Sequence, residues 1–307
     1  MKDIKEITSY IDFKLSYLKQ NPSSSLKDFF EEMKHNLSNE ELANAYNYIL
    51  LNEKDFKILN QTIREINEKK FSTNFSNLID FILKPIQDNS FYDLKVLAIK
   101  TISNYKDKSA LQALLFCLND KQSNYKIRLA AAEALGKIGD KNAFDSLTKV
   151  VTDEKENSAY IKESAVVALG LLGDSRALDV FDTIINTKQM FLDKFSYLKE
   201  RILEAISKLD ISNDKKALDI LKKSLMDKSQ RVRISAIEAL MNSDNKEAFN
   251  LIYERLKFDC DLEVKKNALV ALYNISDERI LNEVLEGNFE EELKNYAKEI
   301  LEEIGED

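Results

Sequence analysis

The sequence predicts an all-α protein made of stacked helical hairpins, and three observations lead to this fold class. Apolar residues recur three or four positions apart along most of the 307-residue chain, which is the spacing of one helix face. Only 6 glycines and 2 prolines interrupt this pattern. A block of landmarks also repeats after 34 residues, where Ala134, Leu135, Gly136, Gly139, Asp140 and Ala143 recur as Ala168, Leu169, Gly170, Gly173, Asp174 and Ala177. A period of this length predicts an α–α superhelix, a solenoid in which each hairpin packs on the next.

The first part of the chain is helical but does not keep the later register. Apolar positions from Ile4 to Leu18 predict one helix, and Ser38 with Glu41 forms the capping-box signature that opens another. Pro85 ends the last helix of this segment. Residues 1–85 are therefore predicted to be a diverged N-terminal helical cap or small helical domain, and residues 86–307 the repeat array.

The array can be aligned on one position in the second helix of each hairpin, which we call position zero. Position zero is occupied by Thr101, Ala134, Ala168, Ala205, Ala239, Ala271 and Ile300. Alanine stands three positions earlier in all copies but one, and Leu or Ile stands one position later in every copy. These positions share a helix face, so each second helix is predicted to bury an Ala/Leu stripe, with about 1.5–3 kcal/mol from each buried Leu. The last copy reads as a lone second helix, which predicts a half-repeat cap at the end.

Two kinds of local signal recur beside the stripe. Gly139-Asp140 and Gly173-Asp174 are predicted to close second helices, with a left-handed glycine and an aspartate that caps the next helix. Six positions before zero, every copy carries a cation: Lys95, Arg128, Lys162, Lys199, Arg233, Lys265 and Lys294. Six positions earlier still, every residue is polar or acidic: Asn89, Gln122, Glu156, Asp193, Asp227, Asp259 and Asn288. The two columns predict an internal ladder between turns of the same or adjacent repeats; a cationic track for phosphates is the alternative.

Composition argues against several classes of function. The formal net charge of −8, from 53 acidic and 45 basic residues, argues against broad capture of nucleic acid or of an anionic membrane. The sequence has no apolar run long enough for a membrane helix, and its charged start predicts no signal peptide. Cys117 and Cys260 are both predicted to fill small apolar positions in or near the core, which favours a reducing compartment. We therefore expect a cytoplasmic protein that does not act on membranes.

The sequence contains few residues that could act in catalysis. His35 is the one histidine of the sequence and lies on a polar stretch, so no catalytic triad, Cys/His pair or metal site can be assembled around it. The glycines of the ALGKIG and ALGLLG segments belong to helices rather than to the strand-to-helix loop of a nucleotide site. No catalytic residue, metal ligand or cofactor is predicted.

The columns and the ALGxxGD landmark resemble HEAT repeats, in the short variety called phycobilisome-lyase-type HEAT-like repeats. The resemblance covers about Phe91 to Gly305 and is strongest between Tyr125 and Phe181. It implies that the first helices form a convex outside, and that the second helices line a concave groove that usually holds a protein partner. The cation ladder is also a feature of the family. The resemblance therefore implies a non-enzymatic scaffold or adaptor for protein–protein interaction.

Three other activities occur on related repeats. Some E/F-type members attach or detach bilin chromophores, so a phycobilin lyase subunit or bilin-protein chaperone is the first alternative. Deoxyhypusine hydroxylases hold iron through several His-Glu pairs, which one histidine cannot supply. Helical-repeat DNA glycosylases use basic grooves with tryptophan contacts, whereas this chain is acidic and contains no tryptophan. A nucleic-acid-binding protein is thus the weaker second alternative.

The candidate binding face comprises positions −5, −1 and +3 of the second helices, which lie opposite the buried stripe. The residues predicted to contact a partner there are Leu129, Glu133, Lys137, Glu163, Val167, Leu171, Glu200, Glu204, Lys208 and Glu238. Aliphatic side chains rimmed by acids suit a protein with apolar and basic groups, and an ordinary solvated face is the alternative. Tyrosines recur at the start of four second helices, at Tyr92, Tyr125, Tyr160 and Tyr197. They are interpreted as staples that pack each turn, with an aromatic ridge for a ligand as the alternative.

Overall fold

The structure, a computed structural model, describes residues 4–21, 25–85, 89, 91–186, 192–209, 211, 214–243 and 245–305. These residues form eighteen α-helices and three short 3₁₀ turns, and no strand occurs among them. The predicted all-α fold class is therefore confirmed. None of the helices in these ranges combines the length and the apolar character that crossing a membrane requires.

The chain forms two compact units, residues 1–146 and 147–307. The first unit contains three 3₁₀ turns, at residues 72–74, 108–110 and 141–143. Its complete α-helices are α1 (Ile4–Gln20), α2 (Leu26–Asn36), α3 (Asn39–Asn52), α4 (Phe56–Lys69), α5 (Phe75–Leu83), α6 (Phe91–Tyr105), α7 (Leu111–Asn119) and α8 (Tyr125–Ile138). The predicted domain boundary at residues 85 and 86 stays a prediction.

The ninth helix, α9 (Phe144–Thr152), begins before the division between the units and ends after it. The helices of the second unit that follow are α10 (Ala159–Leu171), α11 (Ala177–Asn186), α12 (Leu192–Ile206), α13 (Lys215–Ser224), α14 (Gln230–Met241), α15 (Ala248–Phe258), α16 (Leu262–Ile275), α17 (Arg279–Glu286) and α18 (Glu291–Gly305). Helix α18 packs on α17, so the chain ends in a short hairpin. The prediction of a lone second helix at this end is wrong, because residues 279–286 have enough apolar side chains to form a first helix.

Local sequence signals set the helix ends as predicted. The side chain of Ser38 accepts a hydrogen bond from the backbone of Glu41, whose carboxylate accepts one from the Ser38 backbone. Gly139 and Gly173 have φ angles of 73° and 61°, in the left-handed region where glycine avoids steric strain. Just after the first of these glycines, Asp140 accepts a hydrogen bond of 3.0 Å from the backbone of Asn142. This pair of residues therefore ends one helix and starts the next.

The second helices of each unit form one layer. In the second unit α10, α12, α14, α16 and α18 pack consecutively, and in the first unit α4, α6 and α8 do the same. The predicted stripe is buried at position zero from Thr101 to Ala271 and at the following Leu or Ile of the same six copies. The pattern weakens in the last two copies, where Ile275 is exposed and Ile300 is half-buried. The stripe thus faces the hairpin interior and leaves the opposite side of each second helix free of this packing.

Gly170 marks the closest approach within this layer. A Cβ atom at this position would lie 2.7 Å from the Cβ and 3.0 Å from the Cα of Ala205, so α10 and α12 have no room for a side chain there. The glycine of the ALG landmark is therefore needed for packing between consecutive second helices.

Three of the five ladder cations in the second unit have an acidic partner in the structure, which supports the predicted ladder. Lys199 binds Asp227 at 2.6 Å, and Arg233 binds both oxygens of Asp259 at 2.9 Å. Lys265 pairs with Glu290, two positions after the predicted Asn288. Each of these cations thus reaches the turn of the following hairpin.

The two ladder cations of the first unit donate to backbone carbonyls. Arg128 donates to the Leu118 carbonyl at 3.0 Å, and Lys95 donates to the Lys84 carbonyl, so both cations cap helix ends. In the second unit, no side-chain hydrogen bond or ion pair with a described residue is shown for Lys162 or Lys294, and the side chain of Asp193 lies outside the described residues. Where the structure shows a partner for a ladder cation, that partner is internal, which supports a structural ladder rather than a phosphate track.

The two cysteines have different surroundings. Cys117 is buried as predicted, and burial raises the pKa of its thiol to about 11. Cys260 is exposed, so the prediction of a core position is wrong for this residue. The difference arises because Cys260 lies in the turn between α15 and α16, where the neighbouring Asp259 takes the buried position.

Candidate functional site

The candidate face of the second unit lies on α10, α12 and α14, opposite the buried stripe. On α10 the predicted residues Glu163 and Val167 are half-buried, and Leu171 is 48% exposed. On α12 Glu200 and Glu204 are half-buried, Lys208 in the turn just after this helix is exposed, and on α14 Glu238 is exposed. We call this set the second-helix face of unit 2: Glu163, Val167, Leu171, Glu200, Glu204, Lys208 and Glu238. The predicted residues of this unit thus share one layer of packed helices.

Glu200 lies at the centre of a group of carboxylates. Burial raises the pKa of its carboxyl group, and the negative charges of Glu163 and Glu238 raise it further against the opposing effect of Arg231 and Arg201. Its Oε1 atom is buried and has no hydrogen-bond partner among the described residues. No internal cation is shown beside Glu163 or Glu238 within the same ranges. Three helices therefore bring together three acids, of which Glu163 and Glu238 have no ion pair with a described residue, while the charges of Arg231 and Arg201 act on Glu200.

Glu204, one turn further along α12, is already neutralised. Its carboxylate accepts from Lys208 at 2.8 Å and also pairs with Arg201. The hydrogen bond from Lys208 is the main cause that lowers the pKa of Glu204. Of the predicted acids and bases on this helix, Glu200 is thus the one available to a partner, whereas Glu204 and Lys208 satisfy each other.

Glu200→Gln and Glu204→Gln are expected to change stability in opposite directions. A raised carboxyl pKa means that ionisation destabilises the fold, so the cost at Glu200 is absent below about pH 4 and complete above the raised pKa. Glu200→Gln should therefore raise the free energy of unfolding at pH 7, by less than about 1 kcal/mol because solvent screens the site. The ion pair of Glu204 stabilises the fold above about pH 4 and is lost as pH falls through its lowered pKa. Glu204→Gln should therefore lower stability at pH 7.

Urea denaturation of the two variants and the wild type between about pH 4 and pH 7 measures both differences. The difference for Glu200→Gln should shrink toward zero near pH 4, whereas the difference for Glu204→Gln should persist there in part, because the lowered pKa keeps this carboxyl group ionised in the folded state until the pH falls further. A loss of stability in Glu200→Gln at pH 7 would show that the carboxylate has a compensating internal partner.

The tyrosines at the helix starts are not staples. Tyr125, Tyr160 and Tyr197 are 51%, 68% and 48% exposed, so that interpretation is wrong for these three residues. Tyr197 instead holds the guanidinium of Arg231, which lies 5.6 Å from the ring centroid and donates to the phenol oxygen at 3.2 Å. The ring and the carboxylate of Glu200 therefore both interact with one arginine of α14.

The other three predicted residues lie on α8 of the first unit. Leu129 is half-buried, and Glu133 and Lys137 are exposed. The last two line a cavity of about 330 Å³ between α6 and α8, together with Lys100, Ser103, Asn104, Ala130 and Ala134. The cavity exists because two alanines of α8 face α6, and no larger side chain fills the space. Its lining carries charges of both signs.

A polar chain crosses the helices beside this cavity. Lys137 donates to Asn104 Oδ1, and Asn104 Nδ2 donates to Asn67 Oδ1 at 2.7 Å, which links α8, α6 and α4. The side chain of Lys100 has no hydrogen bond or ion pair with a described residue. Lys100 and Asn104 occupy positions −1 and +3 of their repeat, like the predicted residues, but nothing in the sequence predicts the cavity between α6 and α8.

The structure offers one cluster of metal-ligand type within the described ranges, and it is already neutralised. Asp259, Cys260 and Asp261 have potential ligand atoms within 4.8 Å of one another. Both carboxylates bind the guanidinium of Arg233. His35 is exposed on α2, as predicted. The turn at Asp259 is therefore a structural part of the ladder.

The layer of second helices in each unit, the buried stripe and the ladder together define a helical-repeat protein. The family model of HEAT repeats matches residues 79–169 and 187–273, which together are more than half of the chain. The chain belongs to the HEAT-repeat family. A comparison with curated proteins found no match.

Solved structures resemble the chain at low identity. The complex of CpcE and CpcF of phycocyanin lyase from Nostoc sp. PCC7120 is 22% identical, with a TM-score of 0.45, over 75% of this chain and 87% of that chain. Human deoxyhypusine hydroxylase in complex with glycerol is 15% identical, with a TM-score of 0.39, over 87% of this chain and 97% of that chain. Neither likeness is strong enough to assign an activity.

Proposed function

We propose that the protein is a non-enzymatic scaffold or adaptor that works in the cytoplasm and binds a protein partner on the second-helix face of unit 2. The observation that carries this proposal is the group of three acids on packed helices, in which Glu163 and Glu238 have no ion pair with a described residue and Glu200 has a buried Oε1 atom without a donor. Keeping a half-buried carboxylate without a hydrogen-bond donor at Oε1 is unfavourable for folding alone. A cationic partner would supply the missing compensation.

Apolar side chains on the same face support a protein as the partner. Val167 is half-buried and Leu171 exposed on α10, the same helix that carries Glu163. Protein interfaces combine an apolar centre with a polar rim, and aliphatic side chains next to acids match this arrangement. The net charge of −8 makes a basic partner more favourable than an acidic one. We infer a partner that presents basic and apolar groups together.

Charge reversal tests this proposal. Glu163→Lys/Glu238→Lys should reduce recovery of the partner from an extract of the source cells by about tenfold, because like charges then face each other across the interface. The immobilised wild type and variant are compared by quantitative mass spectrometry. Both substituted residues lack an internal ion pair in the described ranges, so the fold should be kept.

A matched control places the same charges on the first helices. Asp219→Lys/Glu254→Lys changes two exposed acids of α13 and α15 and should leave recovery unchanged. Equal loss in both variants would indicate a general effect of net charge, and unchanged recovery in Glu163→Lys/Glu238→Lys would exclude the proposed face. The lyase-subunit hypothesis stays a prediction with a separate test, in which added bilin should acquire a protein-dependent absorption band.

A further inference from the structure

Exposed tyrosines accompany the acids on the second-helix face of unit 2. Tyr160 lies in the first turn of α10 and Tyr197 in the second turn of α12; they occupy equivalent positions of the repeat, and the two helices pack against each other. One helical turn further along, each helix carries a glutamate, Glu163 and Glu200 respectively, on the same side. An aromatic ring next to a carboxylate favours a cation, because the ring face and the carboxylate both attract positive charge.

The chain itself shows which cation this pairing accepts. Arg231 lies over the ring of Tyr197, and its charge favours the ionised form of Glu200. The planar guanidinium can stack on the ring while its N–H groups point to oxygen acceptors, which an ammonium group does less well. The pair Tyr197 and Glu200 thus already interacts with an arginine on the side that faces α14.

The equivalent pair on α10 has no such arginine. Tyr160 is the most exposed of the three tyrosines, at 68%, and neither its ring nor Glu163 has an internal cation in the described part of the chain. The residue of α12 that corresponds to Arg231 is Tyr197, so α12 offers a second ring where α14 offers a guanidinium. Glu200 contributes the buried Oε1 atom without a donor.

We propose that Tyr160, Glu163, Tyr197 and Glu200 form a receptor for an arginine side chain on an extended basic segment of the partner. This inference rests on the proposed function and specifies the chemistry of the same face. Packed helices lie about 8–10 Å apart, and an extended chain advances about 3.3–3.6 Å per residue. A segment that crosses α10, α12 and α14 therefore advances by about two to three residues from one helix to the next. Arginine at every third position matches this spacing.

The test uses fluorescence anisotropy of labelled peptides with the full-length protein. One peptide has arginine at every third position and serine elsewhere, and two others replace arginine by lysine or by glutamate. The arginine peptide should bind with a lower Kd than the lysine peptide, and the glutamate peptide should not bind. Tyr160→Ala should raise the Kd of the arginine peptide about two- to fivefold, and Glu163→Gln about tenfold. Tyr160→Phe should keep the wild-type Kd, because the ring is retained.

Tyr125→Ala is the matched control. Tyr125 is a similarly exposed tyrosine at the start of α8, but Leu129 stands four positions later in place of a glutamate. Its substitution should leave the Kd unchanged. Equal Kd values for the arginine and lysine peptides, an effect of Tyr125→Ala as large as that of Tyr160→Ala, or no effect of Tyr160→Ala and Glu163→Gln would overturn the receptor.

Partner recovery separates this inference from the proposed function. If Glu163→Lys/Glu238→Lys abolishes recovery while Tyr160→Ala and Glu163→Gln leave peptide binding unchanged, the face is correct and the arginine receptor is wrong. If peptide binding behaves as expected but charge reversal leaves recovery unchanged, the proposed function is wrong, and with it the role of the receptor in that function.

Discussion

Arg233→Ala is expected to lower the free energy of unfolding by about 3–5 kcal/mol, because it leaves a buried carboxylate without its partner. The side chains of Arg233 and Asp259 are only 7% and 2% exposed. The guanidinium also donates to the Asp227 carbonyl at 2.9 Å, so the substitution removes a link within its own hairpin as well. Arg255 remains 3.9 Å from Asp259 and compensates part of the charge, which favours the lower end of this range.

Urea denaturation followed by circular dichroism measures this effect, and Arg279→Ala provides the control. Arg279 binds Asp277 at 2.6 Å, but its side chain is 88% exposed and solvent screens the pair, so removing it should cost far less than Arg233→Ala. Replacing both members of the buried pair, as in Arg233→Met/Asp259→Leu, should cost less than Arg233→Ala because no buried charge remains. Equal losses in Arg233→Ala and Arg279→Ala would contradict the structural role of the ladder.

Leu169→Asp is expected to unfold the second unit. Leu169 is fully buried in the stripe of α10, so the substitution loses about 1.5–3 kcal/mol of burial and also places a charge in an apolar layer. The side chain of Leu169 is 0% exposed, so water does not reach the position of the new carboxylate in the folded state. The expected result is loss of the cooperative unfolding transition at room temperature.

Leu171→Asp, two positions along the same helix, is the matched control. The two substitutions are chemically identical, but Leu171 is on the opposite side of α10 and is half exposed. Its thermal unfolding should resemble that of the wild type within about 0.5 kcal/mol. If Leu171→Asp unfolded the protein as Leu169→Asp does, the second-helix face would be buried against another part of the chain.

The sequence predicted the repeat register because packing imposes the same requirement on each copy. An Ala at position zero and a Leu or Ile after it are needed wherever two second helices touch, so the columns at Ala134 and Leu135 persist and can be aligned. Gly139 was predictable for the same reason, since only a left-handed glycine ends the helix without strain. The burial of Cys260 was wrongly predicted, because the alignment of the repeats does not show which of two adjacent turn residues is buried.

The candidate face was only partly accessible to sequence reasoning. Its residues could be placed on one side of each helix, but whether their charges are compensated by ion pairs depends on which side chains are neighbours in the folded structure. Glu200 and Glu204 have the same chemistry and stand one turn apart, yet only Glu204 meets Lys208 and Arg201. Likewise, Tyr160 and Tyr197 fit either a staple or a ridge by position, and only the packed helices reveal that their rings are exposed.

The stability and function of α12 are expected to oppose each other at Glu200. Removing its charge should stabilise the fold and weaken binding of a cationic partner, whereas Glu204→Gln should destabilise the fold and have a smaller effect on binding. This opposition is typical of residues retained for binding rather than for folding. It also provides a criterion that a purely structural carboxylate would not meet.

Site-specific photo-cross-linking in the source cells tests the central claim most directly. A benzoylphenylalanine replaces Leu171 on the second-helix face of unit 2 or, in a separate variant, Phe258 at the end of α15; both native side chains are exposed and apolar. We predict that illumination yields a discrete adduct with the partner from position 171 and none from position 258. Adducts from position 258 alone would contradict the proposed binding face.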